Sequence, residues 1–272
     1  MDATPYTIQL KDPSIDKSSQ SILMQDIFQK VLRIAKLDSN VFIVGEIGSG
    51  KKRIANLIHQ NSRNAEGPFY SYYCVDINED EYKEAFWGHL QFTKQGLSLK
   101  YDALEKAIHG ILYLDQFSEL SPIYMINIID SYLKGCKQLF HNNVQAQPRL
   151  VLSFNLESYR GIVKTTVWNQ LLNRLNPIVI MLPPLRERKE DIPILIEYFL
   201  EEIKGKYEEY KDLNISKQAL CKCFNYDWPG NIRQLKNAIT QGAILSYGQT
   251  IESRHLPFSM SWKLPYEYNG KK

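Results

Sequence analysis

A glycine-rich stretch follows directly on a short apolar run near the start of the chain. The run is VFIV at 41–44, and GEIGSGKK occupies 45–52. The spacing is glycine, four residues, glycine and Lys51, which is the phosphate-loop pattern up to its last position, where Lys52 replaces serine or threonine. A helical pattern over 51–60 places this turn at a helix N-terminus, where backbone N–H groups and the helix dipole favour phosphate. The predicted nucleotide-binding residues are Gly45, Glu46, Ile47, Gly48, Ser49, Gly50, Lys51 and Lys52.

Short apolar runs recur along the first two thirds of the chain. They are VFIV, FYSYYCV, ILYLD, RLVLSF and PIVIML, at 41–44, 69–75, 111–115, 149–154 and 177–182. The stretches between them are long enough to hold helices. This alternation predicts an α/β domain, in which helices cover both faces of a parallel sheet.

The last third of the chain has a different pattern. Apolar residues recur at helical spacing from Ile192 to Ile203, and two more helical stretches are expected near 216–225 and 231–245, with no strand-like run between them. A small helical domain therefore follows the sheet domain. The predicted parts are an N-terminal extension at 1–15, the α/β nucleotide-binding domain at 16–188, the helical domain at 189–258 and a C-terminal tail at 259–272.

Composition excludes several functional classes. The net charge of +3 over 272 residues, without a basic block, argues against direct DNA binding. No apolar run approaches the roughly 18 residues of a membrane span, so the chain is expected to be cytoplasmic. Cys221 and Cys223 could supply two metal ligands, but no second Cys or His pair stands at zinc-site spacing. We expect the four cysteines to be buried thiols.

Taken together, these strings resemble the AAA+ domain of sigma-54-dependent transcription activators, also called bacterial enhancer-binding proteins. The resemblance covers about residues 16–258 and rests on GEIGSGKK, IHQNSRNAEGPF, FWGH, ILYLDQ, RLVLSFN, RLNPIVIMLPPLRERKEDIP and WPGNIRQLKN, in that order. It implies a P-loop AAA+ parallel sheet with flanking helices, followed by a small all-helical lid domain, and it implies ATP and Mg2+ as cofactors. In that family the position of Lys52 is commonly Glu.

The resemblance assigns a role to five polar residues. Lys51 matches the lysine that reaches the β and γ phosphates, and Asp115 matches the Walker B aspartate that holds Mg2+. Asn155 matches the sensor asparagine of the sheet domain, and Arg233 the sensor arginine of the lid. Arg174 matches an arginine that acts across the subunit interface. The alternatives are a solvated lysine for Lys51, turn residues for the aspartate and asparagine, and ordinary salt bridges for the arginines.

The residues that the family uses for hydrolysis are replaced. Gln116 stands where the family has its catalytic glutamate, and an amide cannot take up a proton, a loss that costs about 10²- to 10⁴-fold in rate. Tyr73 stands where the family has a switch asparagine. Trp168 replaces one of two interface arginines, each worth about 10³- to 10⁵-fold, and would suit packing against a neighbouring subunit. We expect a very slow or inactive ATPase, although a glutamine can still orient a water.

The partner loop differs as well. FTKQGL at 92–97 falls where the family carries GAFTGA, the loop that touches sigma-54, and only Gly96 coincides. This difference argues against direct contact with sigma-54 RNA polymerase. About 15 residues follow ESRHLP, too few for the usual helix-turn-helix, so we expect no direct DNA binding. The lack of an apolar run long enough to span a membrane predicts no membrane contact.

Three functions then compete. The first is a degenerate AAA+ protein that binds ATP and regulates transcription with weak or no hydrolysis. The second is an active ATPase that remodels sigma-54 RNA polymerase for transcription initiation. The third, a stand-alone P-loop kinase of small molecules, leaves LPPLRERKEDIP and WPGNIRQLKN unexplained. For the first we expect a ring oligomer that includes a complete AAA+ activator, which would supply the missing GAFTGA loop and DNA-binding domain.

Overall fold

The chain forms two compact units. The computed structural model describes residues 19–75, 89–93, 96–100, 102–140 and 146–257. Within these ranges the first unit comprises 22–184, and the second comprises 185–257 together with 19–21. The predicted extensions at 1–15 and 259–272 lie outside the described residues. No helix in the described ranges is long and apolar enough to cross a membrane.

The first unit alternates strands and helices. In chain order its elements are α1 (Ile22–Ala35), β1 (Val41–Gly45), α2 (Lys51–Gln60), β2 (Phe69–Tyr73), β3 (His89–Thr93), β4 (Gly96–Lys100), α3 (Asp102–Lys106), β5 (Ile111–Asp115), α4 (Pro122–Phe140), β6 (Arg149–Asn155), α5 (Leu156–Ile162), α6 (Thr166–Leu175) and β7 (Ile178–Met181). Five strands form a parallel sheet in the order β2-β5-β6-β1-β7. The five apolar runs of the sequence are these five strands, and the predicted fold class is confirmed.

The central strands are largely apolar because helices cover both faces of the sheet. One set of alternate residues, including Phe42, Leu112 and Leu152, packs in one core with side chains from α3, α4, α5 and α6. The alternate positions of the same strands, which include residues 41, 43, 113 and 153, point to the other face. Helices α1 and α2 pack against one another, and α2 contacts β1, β5 and β6. The helix that follows the glycine-rich loop therefore lies directly on the sheet.

Arg149 fixes the start of β6 to the end of α1. Its buried guanidinium donates to the carbonyl oxygens of Ile34, Ala35 and Ser39 at 2.9, 3.2 and 2.8 Å. Burial lowers the pKa of this guanidinium to about 10. The last carbonyls of α1 thus receive a cationic donor, which is favourable at a helix C-terminus.

A hairpin absent from our sequence-based strand assignment interrupts the α/β alternation. Strands β3 and β4 pair antiparallel, with Phe92 opposite Leu97 and Thr93 opposite Gly96. The described residues of the FTKQGL segment, 92–93 and 96–97, therefore belong to two paired strands. Residues 94 and 95, and 86–88 of the FWGH string, lie outside the described residues.

The second unit is helical apart from one minimal strand pair. Its elements are a 3-10 turn (Leu185–Glu187), α7 (Asp191–Lys206), a 3-10 turn (Glu208–Tyr210), β8 (Asn214–Ile215), α8 (Lys217–Asn225), α9 (Asn231–Leu245), β9 (Thr250–Ile251) and a 3-10 turn (Ser253–His255). The three helices lie where the sequence predicted them. The expectation of no strand in this region was wrong, because β8 and β9 form a parallel pair of two residues each.

Trp228 and Asn231 shape the turn before α9. Both residues have left-handed backbone conformations, with φ of 50° and 51°. The buried Trp228 indole donates to the carbonyl oxygen of Cys223 at 2.7 Å, and Asn231 Oδ1 accepts from the backbone N–H of Leu185 at 2.7 Å. The WPGN string therefore closes the core of the second unit.

Three of the four cysteines are buried, as expected. Cys74, Cys136 and Cys223 are buried, and desolvation raises the pKa of each thiol. Cys221 is exposed, so the expectation of four buried thiols was wrong at this position. The two residues of the C-x-C pair are separated by two positions on α8, which turns them to different sides of the helix.

Candidate nucleotide-binding site

The loop between β1 and α2 has backbone geometry that requires glycine. Gly48 and Gly50 adopt φ of 75° and 104°, in the region that side-chain-bearing residues rarely occupy. A Cβ on Gly45 would lie 2.7 Å from Ser49 Oγ and 3.1 Å from Leu182 Cβ. Gly50 is the N-cap of α2. The first N–H groups of α2 thus open onto the loop, which is the arrangement that binds phosphate.

The two lysines after the loop differ in environment. Lys51 is 8% exposed, and its Nζ donates to the carbonyl oxygens of Gly45 and Glu46 at 2.8 and 3.0 Å. Lys52 is exposed. Lys51 is therefore not a solvated surface lysine, and its charge is held against the loop.

Four of the predicted site residues lie at one edge of the sheet. β1 ends at Gly45 and pairs there with Asn155, while β2 ends at Tyr73 and pairs there with Asp115. All four strands are parallel, so their carboxyl ends meet at the same edge, where ligands of such sheets bind. The structure thus brings the loop, Asp115 and Asn155 to one side of the sheet domain.

Asp115 is held through one of its two carboxylate oxygens. Oδ1 accepts from the Tyr113 hydroxyl at 2.9 Å, from Ser153 Oγ at 2.7 Å and from the backbone N–H of Gln116 at 3.0 Å. In the described part of the chain no donor contacts Oδ2. In proteins Mg2+ is usually bound through one or two carboxylates together with water and substrate phosphates. The site therefore fits the ion that the resemblance implies.

Gln116 has a strained backbone. Its φ is 56°, in the left-handed region, and its N–H is shared between Asp115 Oδ1 and Ser153 Oγ, the latter at 2.8 Å. A 3-10 turn over Phe117–Glu119 begins immediately after it. The backbone of Gln116 is thus held by hydrogen bonds to the end of β5 and to β6.

Sequence reasoning missed three polar residues near this edge. Tyr113 and Ser153 are fully buried hydroxyl residues in otherwise apolar strands, two positions before the strand ends. Their polarity within ILYLD and RLVLSFN was the available signal. Glu119 is exposed, one 3-10 turn beyond Gln116, and its Oε1 accepts from Ser118 Oγ at 3.2 Å and from Ser158 Oγ at 3.0 Å.

Asn155 performs a capping role in this structure. Its Oδ1 accepts from the backbone N–H of Glu157 at 3.4 Å, and it is the N-cap of α5. Its own N–H donates to Ser118 Oγ at 2.9 Å. The side-chain amide N–H groups of Asn155 have no partner among the described residues, so they remain available as donors at the sheet edge.

The two arginines lie in different units. Arg174, near the end of α6, forms an ion pair with Asp130 of α4, with side-chain exposures of 35% and 54%. Exposed pairs of this kind contribute about 0–1 kcal/mol, so Asp130 holds Arg174 only weakly. Arg233 is exposed on α9 of the second unit. Its sensor role stays a prediction.

Trp168 does not face a neighbouring subunit. It is 5% exposed on the apolar stripe of α6 with Leu171 and Leu175, and its ring contacts Phe42 and Phe154. The prediction that it packs against a neighbour was therefore wrong. Burial of its large apolar ring in its own core stabilises the fold more than exposure at a polar interface would.

A groove of about 640 Å³ opens at the opposite edge of the sheet. Its lining includes Asn40, Gly67, His109 and Arg149, which stand at the amino ends of the strands. The Arg149 guanidinium already donates to three carbonyl oxygens. The groove therefore lies away from Asp115 and the loop, and it is not the candidate site.

Two models of known protein families match this chain. The model of the Sigma-54 interaction domain family matches residues 18–181, and the model of the AAA+ ATPase lid domain matches residues 186–269. The chain belongs to the sigma-54 interaction domain family. The predicted membership is thereby confirmed, and the loop at 45–52 lies inside the matched sigma-54 interaction domain.

Curated relatives of this sigma-54 interaction domain protein are named as regulatory proteins. The regulatory protein AtoC of Escherichia coli (strain K12) is 31% identical over 243 residues, covering 88% of this chain and 52% of AtoC. The Nif-specific regulatory protein of Azotobacter vinelandii is 32% identical over 231 residues, covering 84% of this chain and 44% of the relative. The chain thus spans about half the length of these relatives.

Solved structures of NtrX from Brucella abortus are also similar to this protein. The structure in complex with ADP has a TM-score of 0.72 and 28% sequence identity, covering 92% of this chain and 56% of NtrX. The structure in complex with ATP has a TM-score of 0.68 and 28% identity, covering 89% and 56%. The likeness spans both the sheet domain and the helical unit.

Proposed function

We propose that this sigma-54 interaction domain protein binds ATP with Mg2+, hydrolyses it slowly or not at all, and regulates transcription as a nucleotide-holding subunit. One observation carries the proposal. A glycine-rich loop that carries Lys51 and Asp115 lie at one edge of the sheet, together with an amide, Gln116, at the position that the resemblance gives to the catalytic carboxylate.

Binding follows from the loop and the helix behind it. The left-handed glycines Gly48 and Gly50 turn the backbone around the phosphate position, and the N-terminus of α2 supplies N–H donors and the positive end of its dipole. Lys51 is held against the loop carbonyls by two hydrogen bonds that a phosphate oxygen can replace. Asp115 Oδ2 would hold Mg2+, which neutralises phosphate charge when bound.

Slow hydrolysis follows from the residues around Asp115. The Gln116 amide can orient a water but cannot take up its proton. Tyr73, in register with Asp115 on the neighbouring strand, is 54% exposed and offers a phenol where the family has an amide. Trp168, at the position of an interface arginine, has a neutral indole that is buried in its own core, so this position offers no cation to a neighbouring site.

The relatives support the proposal at the level of the family. NtrX structures contain ADP and ATP, and AtoC is a regulatory protein. Carried over to this chain, these properties predict a nucleotide-dependent regulator, and the family resemblance predicts that it assembles in a ring. An intact activator in the same ring would supply the arginines and the GAFTGA loop. Co-purification from the native cell tests this assembly, and recovery of the protein without any AAA+ relative would contradict it.

The binding proposal is tested by thermal unfolding with and without ATP. A ligand at 100 times its dissociation constant raises the free energy of unfolding by about 2.7 kcal/mol. We expect the buried Lys51→Ala change to abolish the ATP-dependent rise in Tm, and the exposed Lys52→Ala change to preserve it. An unmoved Tm at millimolar ATP would contradict nucleotide binding.

The turnover proposal is tested by steady-state ATP hydrolysis of the purified chain. We expect a rate well below the usual enzyme range of about 1 to 10³ per second. Gln116→Glu alone should restore little activity, because Tyr73 and Trp168 remain. Rapid hydrolysis by the unmodified chain would instead support the alternative, an active ATPase that remodels sigma-54 RNA polymerase.

A further inference from the structure

We propose that Tyr113 and Ser153 are positioning residues that clamp Asp115 by one oxygen, Oδ1, and thereby reserve Oδ2 for Mg2+ or for a water bound to it. The inference rests on the proposed nucleotide site and adds the residues that determine its metal affinity. Neither hydroxyl belongs to the loop, and neither was selected by the sequence motifs.

The clamp is defined by three donors on a single oxygen. Tyr113 Oη, Ser153 Oγ and the Gln116 N–H contact Oδ1 at 2.9, 2.7 and 3.0 Å. Tyr113 lies on β5, Gln116 directly follows β5, and Ser153 lies on the neighbouring strand β6. The carboxylate is therefore held from two directions. Hydrogen bonds to an ionised acceptor are the stronger kind. Rotation of the carboxylate would break them.

The strand register makes this arrangement possible. Residues 113, 115 and 153 project to the same face of the sheet, because alternate residues share a face and β5 pairs with β6 in parallel register. Helix α2, which begins at Lys51, contacts β5 and β6. The clamp therefore belongs to the sheet face that carries the phosphate-loop helix.

Both hydroxyls are completely buried. Tyr113 and Ser153 have 0% exposure, and a buried hydroxyl destabilises the fold unless it is hydrogen-bonded. Each hydroxyl finds its acceptor in Asp115. Phenylalanine and alanine would fill the same space without needing that acceptor, so the polar pair serves the carboxylate rather than the packing.

Ser153 also fixes the residue after Asp115. Its Oγ accepts the Gln116 N–H at 2.8 Å while donating to Asp115 at 2.7 Å. Gln116 is thereby held at φ of 56°. The Ser153 hydroxyl thus holds both the Asp115 carboxylate, which would bind the metal, and the backbone of Gln116, whose side chain would orient water.

The test measures how ATP affinity depends on Mg2+, by calorimetric titration of ATP in EDTA and at increasing MgCl2. We expect Ser153→Ala and Tyr113→Phe to leave the affinity in EDTA within about twofold of the unmodified chain. We expect each to raise the Mg2+ concentration for half-maximal enhancement about tenfold, as loss of a residue that orients a metal ligand does. Ser153→Thr, which retains the hydroxyl, should preserve the original Mg2+ dependence.

Tyr132→Phe is the matched control. Its hydroxyl is also buried, but it donates to the Pro148 carbonyl at 2.9 Å, at the amino end of β6. We expect no change in Mg2+ dependence for this variant. An equal shift in Tyr132→Phe would overturn the proposal, because the effect would then come from losing any buried hydroxyl.

The remaining outcomes separate this inference from the proposed function. Unchanged Mg2+ dependence in Ser153→Ala and Tyr113→Phe, with Lys51→Ala abolishing ATP binding, would overturn the clamp and leave the nucleotide site standing. Absence of ATP binding by the unmodified chain, even in EDTA, would overturn both. If Ser153→Ala does not fold, Tyr113→Phe alone decides between these outcomes.

Discussion

Trp168 packs edge-on against Phe154, with ring centroids 5.7 Å apart and ring planes at 86°. Phe42 and Tyr159 enclose the same indole at 5.6 and 5.1 Å. Such pairs add about 0.5–1.5 kcal/mol beyond the area that they bury. Trp168 is therefore part of an aromatic cluster that stabilises this chain.

Trp168→Ala is expected to lower the free energy of unfolding by about 3–5 kcal/mol, because it removes a large buried ring and leaves a cavity. Urea denaturation monitored by circular dichroism measures the change. Ile123→Ala is the control, since Ile123 is 67% exposed and should change stability by less than about 0.5 kcal/mol. A loss below about 1 kcal/mol for Trp168→Ala would contradict the buried position.

Gly50→Ala is expected to abolish the ATP-dependent rise in Tm. Its φ of 104° is strained for any residue with a Cβ, so the loop must change shape to accept alanine. Gly161→Ala is the matched control in the same unit. A Cβ there meets nothing within 4 Å in α5, and the change should preserve ATP binding while stabilising the helix by about 0.5–1 kcal/mol. Normal ATP binding by Gly50→Ala would argue against the loop as the phosphate site.

Asp191→Ala is expected to destabilise the second unit by about 3–5 kcal/mol, because it removes the anionic partner of the buried Arg188 guanidinium, which lies 4.0 Å from Asp191 Oδ2. Its 1% exposed carboxylate accepts from Ser19 Oγ at 2.6 Å and from the N–H groups of Gln20 and Ser21 at 2.9 and 3.0 Å. Thermal unfolding measures the loss. Asp227→Ala removes a carboxylate that is 80% exposed and should change stability by less than about 0.5 kcal/mol. Equal effects for the two variants would contradict the network.

One of the four thiols should react with a disulfide reagent in the native protein at pH 8. Cys221 is exposed, whereas Cys74, Cys136 and Cys223 are buried. Burial raises the pKa of Cys136 and Cys223 to about 12, so these thiols stay protonated and unreactive. The Cys221→Ser variant should not react in its native state, and unfolding it in urea should make the other three thiols reactive. More than one reactive thiol in the folded protein would contradict the burial.

The raised pKa values of Cys136 and Cys223 predict that the free energy of unfolding decreases in alkali. Their pKa is about 12 in the folded chain against an ordinary value of 9.0, so the folded state binds more protons than the unfolded state between these pH values. The stabilisation that these protonated thiols contribute is complete below pH 9 and is lost as the pH rises toward 12. Urea midpoints measured at increasing pH should fall more steeply for the unmodified chain than for Cys136→Ala and Cys223→Ala.

Much of the fold could be predicted because the relevant signals are local. The runs at 41–44 and 111–115 are strands because both faces of a parallel sheet are apolar, and the loop at 45–52 is recognisable because its backbone conformations require glycine. The hairpin of β3 and β4 and the two-residue pair of β8 and β9 escaped prediction. β8 and β9 are distant in sequence, and periodicity does not record such a pairing. β3 and β4 are adjacent in sequence, and the alternation of apolar and polar residues in HLQFT and GLSLK was the available signal.

The sequence by itself determined the order of strands and helices, the phosphate loop and the family, since each depends on residues close together in the chain. Only the tertiary structure decided that Trp168 is a core residue, that Arg174 pairs with Asp130, and that Ser153 reaches Asp115 across 38 positions. These facts depend on which strands and helices lie side by side. Burial and hydrogen bonding are properties of neighbours in space, and the pattern of residues along a strand identifies its face but not the side chain opposite.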